Sequence, residues 1–116
     1  MKYEALPEYD NEEITRIMSN GTIEEKTLLP LSLGTYCTNW KFVQDICLTL
    51  SKNENEEISS NAILGLAYLA RTQKKLQKEL VMPILLEGLK KHSKYLGKIE
   101  DAISDIEIFL KWKFPS

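Results

Sequence analysis

Asp101 and Asp105 stand four residues apart, so on a helix they share one face, with Glu100 and Ile108 beside them. Two carboxylates so placed can divide general-acid and general-base work or ligate a metal ion. Helical di-metal sites add a histidine three residues from a glutamate, and the single histidine here, His92, has no such partner. Cys37 and Cys47 are the only cysteines, and a thiol–imidazole pair would need one of them beside His92, which lies 45 residues beyond the second. At a lysine-rich helix end His92 reads instead as a stabiliser of the helix C-terminus. A structural zinc site takes four Cys or His ligands in close pairs, which three scattered residues do not supply. Each cysteine therefore reads as a buried free thiol. The sequence also holds no glycine-rich phosphate loop, no GxSxG elbow and no HExxH. The expectation is a chain that is not an enzyme and that holds no cofactor and no metal.

The elements that position these residues follow from length and pattern. At 116 residues the chain is expected to form one helical domain over 1–116. Hydrophobic content of 43% against 28% charged residues argues against global disorder. The start, MKYEALPEYD, has no signal-like apolar run, and Pro30, Pro83 and scattered charges interrupt any membrane span. A cytoplasmic protein with no membrane partner is expected.

An apolar pattern recurs at a spacing of 40: Ala62, Ile63, Leu66, Leu69 and Ala70 reappear as Ala102, Ile103, Ile106, Phe109 and Leu110. Helix-period positions echoed at that distance mark paired-helix repeats of the HEAT or armadillo type. The predicted class is all-α, a HEAT/armadillo-like stack of two helical hairpins over 38–72 and 76–112. Two short helices in 1–30 precede them. Two repeats form either a small right-handed stack or a closed bundle, and the pattern fits both.

Local signals set the boundaries. Asp10 or Asn11 caps a helix to about Met18, with Asn20-Gly21 as its stop. Thr22 and Glu25 form a capping box for a second, which Pro30 should end near Leu29, leaving 30–38 as a loop. Thr38 or Asn39 caps a third helix to Ser51, and Asn53 or Asn55 a fourth from Glu56 to Thr72, expected to be central. The fifth spans Leu76 to Lys91 with Leu80, Ile84, Leu85 and Leu89 inward, kinked at Pro83 unless it begins near Met82. Ser93 caps the last, and Pro115 stops the chain.

Net charge is −2, but residues 1–25 hold seven acids and two bases, 71–98 hold eight bases and two acids, and 99–108 hold four acids. A patchy surface follows, whose acidic faces are either plainly solvated or suited to a basic partner. The lysines between Arg71 and Lys98 suggest a nucleic-acid-binding module, which the acidic total and the adjoining four-carboxylate run oppose. The outer side of the fourth helix should carry Ser60, Asn61, Leu64, Tyr68 and Arg71, and that of the last Glu100, Asp101, Ser104, Ile108 and Lys111. Apolar centres with charged rims suit an interface. Leu64, Tyr68 and Ile108 equally suit packing beneath another helix or the N-terminal segment.

The stretches Trp40-Lys-Phe-Val-Gln44-Asp45, Asn61-Ala-Ile-Leu-Gly65-Leu-Ala-Tyr-Leu-Ala-Arg71 and Asp101-Ala-Ile-Ser-Asp105-Ile resemble small all-helical, HEAT-like immunity proteins of bacterial contact-dependent growth inhibition and related polymorphic-toxin systems. The resemblance covers about 28–110. It implies a cytosolic protein that binds the toxic C-terminal domain of a delivered effector, often a nuclease, one to one, and blocks its active site without touching nucleic acid itself. Toxin-contacting residues differ widely among such proteins, so none is carried over by motif. Composition and helical phase single out Asn61, Tyr68, Asp101, Asp105 and Ile108 on the strip, with Glu12 and Glu13 as rim charges. The competing expectation is a generic HEAT-type adaptor for a housekeeping partner.

Overall fold

The computed structural model describes residues 6–91 and 94–113, and among them there are six helices and no strand. The predicted all-α class is what the structure has. Local capping accounts for most helix starts. Asp10 accepts a hydrogen bond from the Glu13 amide at 2.8 Å while the Glu13 carboxylate takes the Asp10 amide, opening α1 (Asn11–Asn20). Thr22 and Glu25 form the same reciprocal pair ahead of α2 (Ile23–Tyr36). Asn39 caps α3 (Trp40–Leu50) and Asn55 caps α4 (Glu56–Gln73). Each satisfies amides that the first turn leaves without intrahelical partners.

The expected stop at Pro30 is corrected. α2 continues through it to Tyr36, so 30–38 is mainly helix rather than loop. An internal proline costs about 3 kcal/mol. Against that, the continued helix buries Leu33 to 4% exposure and holds Leu29 fully inside, each contributing about 1.5–3 kcal/mol. Tertiary burial wins. Close approach makes the burial possible: a β-carbon on Gly65 would fall 2.7 Å from Pro30 Cβ, and one on Gly34 2.8 Å from Tyr68 Cβ. The contacts Thr27–Asn61, Pro30–Gly65 and Gly34–Tyr68 climb both chains together, so α2 and α4 run parallel. Their interface is the most extensive in the molecule.

α4 is central, as its wide apolar stripe requires: α2 and α6 flank it, and α3 and α5 also pack on it. The echoed residues Ala62, Ile63, Leu66, Leu69 and Ala70 are all buried, as are Ala102, Ile103 and Ile106, while Phe109 and Leu110 are half-buried against the same core. Gln44 of α3 is fully buried. It donates to Gln77 Oε1 at 2.8 Å and accepts from the Gln77 amide at 2.7 Å, fastening the α4–α5 connection.

α5 (Lys78–Lys91) starts two residues later than Leu76, and its inward stripe is Val81, Leu85 and Gly88. Leu80, expected inside, is 47% exposed, because the helix winds from Gln77 in a phase that turns Val81 to the core instead. Pro83 lies within the helix on its exposed side, away from the buried stripe. α6 (Leu96–Leu110) begins after Tyr95 without a side-chain cap. The expectations for His92, Ser93 and Pro115 fall outside the described residues. No helix among those described is long and apolar enough to cross a membrane.

Candidate functional site

The strip anticipated on α4 is largely covered. Asn61 is 6% exposed: its Nδ2 donates to the Thr27 carbonyl at 3.0 Å, and its Oδ1 accepts from Lys98 Nζ at 2.6 Å. The expectation of Asn61 on an open strip is therefore corrected. With Pro30 no longer ending it, α2 covers that side of α4, and the amide links α2, α4 and α6 through one side chain. Ser60 is fully buried as well. Tyr68 is half-buried, with the Arg71 guanidinium carbon 4.9 Å from its ring centroid. That stacking holds the arginine over a partly exposed aromatic face.

α6 keeps its open side. Glu100, Asp101, Ser104 and Lys111 are exposed, Asp105 is half-exposed, and Ile108 reaches 65% exposure. An isoleucine so bare among carboxylates is what an apolar contact with a charged rim looks like. Lys98, just N-terminal on the same helix, points its ammonium to Asn61 and lies 4.8 Å from the Tyr95 ring centroid, so its charge is engaged rather than free for phosphate.

Glu12 and Glu13 are exposed on α1, and Glu13 also serves the capping box. α1 joins the body through α2, and α6 through α4 and α5, so these acids do not meet the Asp101–Ile108 strip. They belong instead to a second acidic region. Arg16 pairs with Glu25 through its two terminal guanidinium nitrogens, and that pairing, aided by the Thr22 amide, holds the Glu25 carboxyl down at about 2. Burial first, then the carboxylates of Glu25, Glu13 and Glu24, push the Tyr9 phenol up.

Beside this region, unannounced by any sequence motif, lies a cleft of about 780 Å³ between α1 and α3 over α2. Ile14, Met18, Leu33, Tyr36, Phe42 and Ile46 line it, with Glu8 its one charged lining residue. Ser32 and Tyr36 donate hydrogen bonds to the carbonyls of Pro7 and Leu6, tying the N-terminal lead along its edge. Leu33, Tyr36 and Cys37 follow helical spacing, and reading the helix through Pro30 would have exposed the signal. Cys37 is half-buried at the cleft, whereas Cys47 is buried and desolvation pushes its thiol far up. No three His, Cys, Asp or Glu side chains gather as metal ligands among the described residues.

The fold has a known counterpart. A chain in the crystal structure of the CDI complex from Cupriavidus taiwanensis LMG 19424 matches it with a TM-score of 0.80 at 22% identity, over 94% of this chain and 97% of that one. No protein-family model and no curated protein matches the sequence.

Proposed function

We propose that the chain is a non-enzymatic immunity protein that binds the C-terminal domain of a cognate delivered toxin in the cytoplasm and neutralises it one to one. The observation that carries this reading is the fold shared nearly end to end with a chain of a CDI complex, CDI being contact-dependent growth inhibition. The surface chemistry is consistent with it. Glu100, Asp101 and Asp105 precede the exposed Ile108 on α6, and Tyr68 offers a partly exposed aromatic face on α4.

The proposed mechanism is occlusion. A nuclease toxin grips the phosphate backbone with arginines and lysines, and carboxylates at the spacing of α6 pair with those same groups through charge-assisted hydrogen bonds. Acidic surface also speeds the encounter with a basic partner. Apolar and aromatic anchors then slow dissociation. Co-expression with the C-terminal domain of the effector encoded beside it tests the reading. The expected result is a one-to-one complex and rescued growth; a toxin domain that kills equally with and without this chain refutes it.

A further inference from the structure

We infer that the cleft between α1 and α3 is the apolar anchoring site for the toxin domain, receiving an aromatic or aliphatic side chain flanked by lysine or arginine; this placement rests on the toxin-binding reading above. Its floor is apolar, formed by Ile14, Leu33 and Phe42, and its volume of about 780 Å³ falls within the range of about 300–1,000 Å³ typical of ligand pockets. Met18 lends the wall an adaptable side chain. Charge complementarity identifies the occupant. Glu8 lines the cleft, Asp10, Glu12 and Glu13 follow it along the lead and α1, and no lysine or arginine lines it. The nearby Arg16 is held by Glu25 in a two-pronged ion pair, so the acids keep a net negative field at the mouth.

The cleft thus adds an apolar anchor to the carboxylate contacts of α6, and it sets how slowly the partner leaves. A hot spot of this kind is a concave apolar pocket inside a charged rim.

Cys37 provides the readout, because it lines the cleft while the other thiol, Cys47, is fully buried. With the full-length protein and the co-expressed toxin domain, Cys37 should alkylate with iodoacetamide at least about tenfold more slowly in the complex than alone. Ser19→Arg, at an exposed position on the cleft wall, should fold normally by circular dichroism and weaken the complex at least about tenfold by calorimetry. A complex in which Cys37 reacts at its free rate and Ser19→Arg binds unchanged overturns the cleft assignment and leaves the toxin reading intact. No complex at all with the unaltered protein overturns both. A homodimer of the free protein that Ser19→Arg dissolves also overturns the assignment, since the cleft then receives a second copy of this chain.

Discussion

A β-carbon placed on Gly34 would lie 2.9 Å from the Gly65 carbonyl oxygen, so α2 and α4 touch backbone to backbone at that level. No side chain there can swing aside. Gly34→Ala and Gly65→Ala should each destabilise the protein by about 1–3 kcal/mol, the usual cost of overpacking, despite alanine's better helix propensity. Gly97, on α6, has nothing within 4 Å of where its β-carbon would sit. Gly97→Ala should therefore stabilise by about 0.4–1 kcal/mol. Urea unfolding midpoints of the three variants check the opposite signs.

Gln44 and Gln77 exchange two hydrogen bonds, one of them to a backbone amide, in a place where Gln44 has no exposure. Gln44→Ala strands both Gln77 groups and opens a cavity. A loss of about 2 kcal/mol is expected from the unmet polar groups. Hydrogen exchange should quicken at the Gln77 amide well before the interior of α4 responds.

Glu25 titrates at about 2 in the folded protein, below its ordinary 4.5, because Arg16 and the Thr22 cap favour the carboxylate. The unfolded chain thus binds the proton first as pH drops. The stabilisation is complete above about 4.5 and disappears as pH falls through the folded value near 2. In Arg16→Gln, carbon-detected NMR should find the Glu25 midpoint shifted upward toward its ordinary value, with a weaker acid dependence of stability between those limits. An unchanged midpoint would mean that Arg16 is not the controlling partner.

Charge reversal of Asp101 and Asp105 to lysine should slow association with the toxin domain at least about tenfold at low salt and reduce protection in cells, while the helical spectrum and melting temperature stay close to the original. Stopped-flow binding across an ionic-strength series distinguishes steering from contact. Full protection by both variants would remove the α6 edge from the interface.

Most of the fold could be read from the chain because its signals are local. The Asp10, Thr22, Asn39 and Asn55 caps and the stripe from Ile58 to Ala70 each act within a few residues, and the helices start where they should. Pro30 was different. Its local penalty is real, and only contacts with residues more than thirty positions away offset it. That one misreading hid two things at once: α2 covering Asn61, and the wall formed by Leu33, Tyr36 and Cys37. Leu80 went astray for a smaller reason: it neighbours Val81, and the packing of Val81, Leu85 and Gly88 on the core turns it outward. Ile108 and its carboxylates lie on the last helix with no further helix packed over them, and there helical phase alone placed them on the outside.

α4 has eleven of its eighteen residues buried, and other helices border it on several sides. Variation in such a helix is confined by its neighbours, whereas α1 and α6 have broad stretches free to change. Sequences diverging from this chain would be expected to keep the spelling of α4 and rewrite the periphery, which leaves the oldest text in the middle of the molecule.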